Sequence, residues 1–390
     1  MASVLLVDKL DPQSGTALEI GTSGDTVTVP SGATLTLTNA TLNLPTTITS
    51  TTEVKTNKVS PATGTAFALG DSGDTFTVPS GATIVNSGTA TGFGINQTSF
   101  LPNANPLIIN GNMQVAQRST SVAGVTGTGY YTCDRWAYIE DSSATVTITQ
   151  ESMSEADENT TGFSTALKLD VTTADASLAS GDYAVWRYNF EGQDLQLLNK
   201  GTAAAQTTTV SFWVKSTKTG TFIVDQYDND NNRQCSKAYT VDTTDTWEKK
   251  IVAFPADTTG RLGNDNGNSF YMNFVLMAGS GYTSGTLQTT WATYAIADTW
   301  VGQVNAFDST SNNFHITGVQ LEVGTYTSSD LPPFRNESYG DNLARCHRYC
   351  VKFGGDSLYS TFCVGAATTT AELQGAVSLP VQMRTSAPSW

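Results

Sequence analysis

The stretch at residues 314–349, FHITGVQLEVGTYTSSDLPPFRNESYGDNLARCHRY, carries the reading of the fold. Phe314, Ile316, Val319, Leu321 and Val323 repeat near a two-residue period, which predicts a strand with one face against a core. Gly318 interrupts that alternation as a bulge or kink would. Gly324 ends the strand, and residues 325–330 with Pro332 and Pro333 read as a loop. Asp341 is a good N-cap for a short helix carrying Leu343, Ala344 and Tyr349. The stretch therefore reads as a last sandwich strand, an extended crossover and the entrance to a small tail.

Working upstream, the same two-residue pattern recurs at 144–149, 166–171, 184–190, 207–215, 220–225, 237–241, 247–254 and 270–278, with residues 107–109 as the first of the series. Short strands separated by polar turns predict a jelly-roll-like β-sandwich over 105–336. Residues 337–390 form a small tail, with one short helix and β segments that include 358–363. Helical periodicity is expected only near 341–352. Only 14% of residues are charged, and Gly/Asn/Asp turns abound, so the fold class is all-β.

The first 104 residues differ. SGDTVTVPSGAT at 23–34 returns as SGDTFTVPSGAT at 72–83, within repeats spanning 9–35 and 58–84. Each copy offers one small apolar face and open strand edges, too little to fold alone. Identical copies of the chain, or a larger particle, would supply the missing burial, so this region reads as a docking and trimerisation segment.

A net charge of −15 argues against nucleic acid and anionic membrane surfaces as partners. No segment approaches the roughly 18 apolar residues of a membrane span, and the N-terminal apolar run is too short for a signal peptide. The expectation is a soluble protein, made in a host cytoplasm without an export signal of its own and not inserted in a membrane. Cys133, Cys235, Cys346, Cys350 and Cys363 form no even framework and read as reduced, packed thiols.

Three clusters carry a family resemblance. The first is INGNMQVAQRST at 109–120 followed by YTCDRW at 131–136. The second is VSFWVKS at 210–216 with GTF at 220–222 and TWEK at 246–249. The third is ITGVQLEVG at 316–324, then Pro333, Phe334, Leu343 and CHRY at 346–349. Together they resemble the carbohydrate-binding-module-like sandwich and C-terminal segment of bacteriophage tail fibre and tail spike proteins. The repeats look like N-terminal modules of fibres from marine and cyanobacterial phages. The resemblance implies a homotrimer in the virion, anchored through its N-terminal region to other tail or capsid proteins, that attaches to host surface polysaccharide. Two other readings stay open: a purely architectural fibre or adaptor, and a spike that degrades polysaccharide.

The residues themselves argue for binding over catalysis. There are two histidines, His315 and His347, and no Ser/His/Asp order, phosphate loop or metalloprotease spacing, so no catalytic residue is assigned. Glycoside hydrolysis needs two carboxylates roughly 5–10 Å apart, for which Asp225, Asp228 and Asp230 are candidates. The plainer reading of those aspartates is a solvated hairpin turn. Asp228 and Asp230 are also calcium candidates, because they alternate with asparagines, but the terminal Glu and the glycine of the twelve-residue loop are missing. No other cofactor is expected. Sugar binding needs aromatic faces and a few amides on rigidly held loops. Residues 282–304 are the densest such place, and Tyr282, Trp291, Tyr294 and Trp300 are the candidate glycan-binding residues.

Overall fold

In the computed structural model the described residues are Thr26, Thr28, Val29, 106–353, 365–375 and 377–385. The chain falls into two compact units, Met1–Thr89 and Ala90–Trp390, and the strands and helices named below belong to the second. Apart from the three residues named, the repeats at 9–35 and 58–84 lie outside the described residues. So do Cys363 and the strand expected at 358–363.

Alternating side chains produce strands almost everywhere the pattern occurs. They are β1 (Ser121–Val125), β2 (Trp136–Asp141), β3 (Thr145–Ser152), β4 (Thr165–Thr173), β5 (Tyr183–Glu191), β6 (Thr208–Ser216), β7 (Gly220–Asp228), β8 (Arg233–Val241), β9 (Glu248–Phe254), β10 (Asn268–Ala278), β11 (Ala292–Thr293) and β12 (Asn313–Val323). The short pair β13 (Gly365–Ala367) and β14 (Leu373–Gly375) comes after them in the tail. Three α-helices are described: α1 (Glu155–Thr161), the single turn α2 (Ser280–Thr283) and α3 (Tyr339–His347).

Two six-stranded antiparallel sheets make the sandwich. The first runs β1-β3-β4-β12-β6-β9 and the second β11-β8-β7-β10-β5-β2. The class is all-β. Inward aromatic side chains lock the sheets together: Phe212 of β6 meets Phe274 of β10 edge to face at 4.8 Å, and Phe222 of β7 meets Phe314 of β12 at 5.6 Å. Phe212, Phe222 and Phe274 are fully buried. Truncating such a ring to alanine costs about 3–5 kcal/mol, because a cavity adds to the lost burial.

β12 contains the irregularity its sequence predicts. Its register against β6 slips between Thr317 and Gln320, and Gly318 sits at φ +60. A Cβ at that position would lie 2.3 Å from the Phe163 ring, so only glycine fits.

Several features differ from the sequence reading, among them β1 and β2, which fall outside the predicted series of strands. Residues 107–109 are a tight turn rather than a strand, since Asn110 and Met113 both take φ of +59. The Ile109 and Asn110 amides donate to the Tyr188 hydroxyl and Asn342 Oδ1, so side chains satisfy this backbone in place of a ladder. Helix α1 was not anticipated, because seven residues are too few to show an apolar stripe. It is held by Ser154 at its N-cap and by Gly162, at φ +82, at its C-cap. The N-cap of α3 is Ser338, with Asp341 one turn in and its N–H donating to Ser338 Oγ at 3.1 Å.

Helix α3 folds back onto the sandwich. Cys346 is buried against Ile109 and Val115, and Asn342 is buried between Asn110 and Asn112. Arg348 makes a two-pronged ion pair with Glu191 of β5, both bonds 2.7 Å, and the Tyr349 hydroxyl donates to the same carboxylate at 2.6 Å. Cys133, Cys235, Cys346 and Cys350 are free thiols.

Candidate functional site

Because side chains alternate across a sheet, each strand of the second sheet sends every other residue away from the core. On β7, β10 and β5 those outward residues are Asp225 and Tyr227, Tyr271 and Asn273, and Tyr183 and Arg187. The register sets them in rows: Tyr271 lies opposite Tyr227, and Asn273 lies between Asp225 and Arg187. Gln234 on β8 continues the tyrosine row, opposite Tyr227. A cleft of about 230 Å³ opens above this floor.

The far wall comes from the segment after β10. It is stapled across the sheet by backbone bonds, from Tyr294 N–H to the Asn232 carbonyl (3.0 Å), from Ser236 N–H to the Gln288 carbonyl (2.8 Å) and from Val304 N–H to the Thr221 carbonyl (2.9 Å). These bonds hold Tyr282, Tyr294 and Trp300 over the floor. Trp300, 5% exposed, packs on Val185, Ile223 and Val275, the apolar lower row of the same face. Tyr282 stacks on Trp300 with centroids 4.7 Å apart.

The polar groups are chained. Arg187 Nε donates to Asn273 Oδ1, and Asn273 Nδ2 to Asp225 Oδ1, each at 2.8 Å. Trp300 Nε1 donates to the other Asp225 oxygen. Asp225 is fully buried, and that burial raises its pKa to about 6, against the hydrogen bonds from Trp300 and Asn273 and the charge of Arg187. The Arg187 guanidinium lies over the Tyr271 ring at 4.0 Å, and the other side of that ring stacks on Tyr227 at 4.6 Å. Tyr294 meets Tyr227 edge-on at 5.5 Å. Burial also raises the Tyr282 hydroxyl to about 12, so it stays a neutral donor.

The ring faces are thus largely taken by one another. What the cleft presents is ring edges, phenol hydroxyls, amides and a guanidinium. Gln234, buried in its wall, donates to Ser236 Oγ at 2.8 Å, while its Oε1 has no partner among the described residues. Asp225 is the single carboxylate among the described residues lining the cleft.

Of the residues singled out in sequence, Tyr282, Tyr294 and Trp300 come together here and Trp291 does not. Trp291 lies beyond the end of the sheet, with its ring 5.0 Å from Lys200 Nζ and 5.9 Å from Phe270, and its Nε1 donating to the Pro255 carbonyl at 2.8 Å. Asp228 is buried, ion-paired with Lys200, and accepts the backbone N–H groups of Asp230 and Asn231. Asp230 accepts from the Gly263 amide at 2.7 Å. Both carboxylates are engaged with protein donors, and among the described residues no group of three or more His, Cys, Asp or Glu is placed to hold a metal ion. The floor residues Tyr183, Arg187, Tyr227, Tyr271 and Asn273 were missed. Their signal was outward parity on three strands, which becomes readable only once the sheet order is known.

No protein-family profile matches the chain, and no curated protein matches its sequence. Among solved structures it is similar to the enzymatically active domain of tailspike protein 4 of bacteriophage CBA120, at 13% identity and a TM-score of 0.28 over 56% of this chain and 21% of that one. The present chain therefore spans about a fifth of that tailspike chain. It is also similar to a putative sugar binding protein from Bacteroides thetaiotaomicron, at 12% identity and a TM-score of 0.28 over 56% of this chain and 100% of that one. A third is the family 11 carbohydrate-binding module from Clostridium thermocellum in complex with a β-1,3-1,4-mixed-linked tetrasaccharide, at 11% identity and a TM-score of 0.28 over 54% and 99% of the two chains.

Proposed function

We propose that the outer face of the second sheet binds a saccharide without cleaving it. The observation that carries this reading is the cleft itself. It is a floor of strand residues under a stapled wall, rich in phenol hydroxyls and amides. Hydroxyl-rich ligands need many donors and acceptors in fixed positions beside apolar ring edges, and this is such a set. A volume of about 230 Å³ falls below the roughly 300–1,000 Å³ of pockets for drug-sized ligands, which favours one sugar residue of a chain. The single lining carboxylate supports binding over glycoside hydrolysis, which uses a pair.

The wider setting rests on the sequence resemblance. In that reading the chain is a virion fibre or spike subunit, its N-terminal repeats dock and trimerise, and host attachment uses three weak sites in concert. Trimerisation raises avidity because the second and third contacts are effectively intramolecular.

Saturation-transfer NMR of the purified chain with host-derived oligosaccharides tests the site. Signal transfer should be lost in the double variant Tyr271→Ala/Asn273→Ala and retained in Trp291→Ala. Equal transfer by the double variant and the unaltered chain would remove the cleft from consideration, and release of reducing ends would favour the polysaccharide-degrading alternative.

A further inference from the structure

A second cavity, of about 240 Å³, lies away from the cleft, where the start of β2 and the edges of β5 and β10 meet the end of α3 and the tail segment 377–385. Three arginines, Arg118, Arg135 and Arg384, line it against one aspartate, Asp134, in a chain whose net charge is −15.

Arg135 is the telling residue. It is only 6% exposed and holds φ of +76, an uncommon backbone conformation for a non-glycine residue. Its Nε donates to the Tyr188 hydroxyl at 3.4 Å and its Nη2 to the Asn189 carbonyl. The guanidinium carbon lies 3.5 Å from the centre of the Tyr349 ring. No carboxylate among the described residues pairs with it, and its Nη1 has no acceptor there. A buried cation without a counter-charge is costly, and proteins nearly always supply one.

The one acid in the cavity is already engaged. Asp134 accepts from the Gln117 amide at 3.2 Å, from the Gln117 side chain, and from Arg118 at 3.4 Å. Arg384 has no ion pair among the described residues. Asn268 lines the same wall.

We propose that this cavity binds a small, doubly charged oxyanion, phosphate or sulfate, with Arg135 as the buried anchor and Arg118 and Arg384 closing over it. Guanidinium forks match the oxygens of such ions in number and direction. Since Arg384 comes from the tail and Arg135 from the sandwich, the ion ties the two together. It is supplied either free in solution or as the phosphate group of a sugar phosphate.

The test is thermal unfolding of the full chain in sodium phosphate or sodium sulfate against sodium chloride at matched ionic strength, with glucose 6-phosphate as a separate arm. The expected result is a saturable rise in melting temperature with the divalent oxyanions, at an apparent affinity weakened at least fivefold in Arg384→Gln. Arg135→Gln removes the buried anchor and should abolish the effect. Should that variant fail to fold, Arg118→Gln/Arg384→Gln, altering two more accessible side chains, gives the same readout. A comparable rise with glucose 6-phosphate would support the site and assign it to phosphorylated sugars, whereas a rise with the inorganic ions only would support it as a free-ion site. No saturable rise in the unaltered chain, or an equal rise in Arg118→Gln/Arg384→Gln, would overturn the proposal.

Discussion

The two sheets have six strands each and share one core, yet their outer faces are built on opposite plans. On the first sheet the charges cancel sideways. Lys168 of β4 pairs with Glu151 of β3 at 3.2 Å and with Asp170 at 3.3 Å, His315 of β12 meets Glu151 at 2.9 Å, and Lys215 of β6 reaches Asp157 of α1 at 3.5 Å. On the second sheet the one arginine and the one aspartate of the cleft are joined only through Asn273, and Gln234 Oε1 is left without a partner. A face whose charges satisfy one another offers little to a ligand. A face of chained amides and phenols instead leaves its polar groups beside an open cleft, which is what the proposed saccharide site requires.

The largest expected contrast is in stability. Trp300→Ala removes the stack on Tyr282, the hydrogen bond to Asp225 and the cover over Val185, Ile223 and Val275, and should cost about 3–5 kcal/mol. Melting temperature should fall by on the order of 10 °C in a domain of this size. Trp213→Ala, on the outward face of β6 in the first sheet, should cost roughly 1 kcal/mol. Equal losses in a calorimeter would mean that the two faces are not organised differently.

The next contrast is the response to acid, which should have opposite signs on the two faces. Burial lifts Asp225 to about 6, so the folded state holds its proton more tightly than the unfolded chain does. Its contribution to stability is fully present below about pH 4 and is lost as the pH rises through 6, amounting to about 2–3 kcal/mol at most. Glu151 is lowered to about 2, by its bond from His315 and by Lys168, against partial burial. Its contribution is present above about pH 4.5 and is lost as the pH falls through 2. Stability curves should show that Asp225→Asn flattens the pH 4–6 region while Glu151→Gln flattens only the acid limb. Swapped effects would reverse the assignment.

The smallest expected effect sharpens the contrast at the level of binding. Tyr271→Phe keeps the ring between Arg187 and Tyr227 and removes one hydroxyl, so saccharide affinity should fall about three- to tenfold with the melting temperature nearly unchanged. Titration calorimetry reads the first quantity and thermal unfolding the second. A large drop in stability with unaltered affinity would make Tyr271 a packing residue.

Much of the sandwich was legible because β-branched and aromatic residues alternate along β4, β5, β6, β9, β10 and β12. Less was legible where side chains, rather than periodicity, set the backbone, as in the turn at 107–109, or where an element is too short to repeat, as in α1. The wall of the cleft showed in advance as aromatic density between β10 and β12. That density could not separate Trp300, which faces the cleft, from Trp291, which covers the end of the sandwich. Most of the floor was invisible for a different reason: Arg187, Tyr227 and Asn273 are far apart in the chain, and only strand order makes them neighbours.

Gly318 has a consequence for the whole of β12. Before it the strand keeps time on even numbers, with Phe314 and Ile316 in the core; after it the beat moves to odd ones, with Val319 and Leu321. The glycine marks an added beat that lets one strand carry two phrases written in different parity. In a regular strand of the same length, continuing the first count would turn Gln320 and Glu322 toward the opposite sheet. Deleting this one residue would therefore not turn the second half inside out: Val319 and Leu321 would fall on the first count and stay in the core, and only the bulge would be lost.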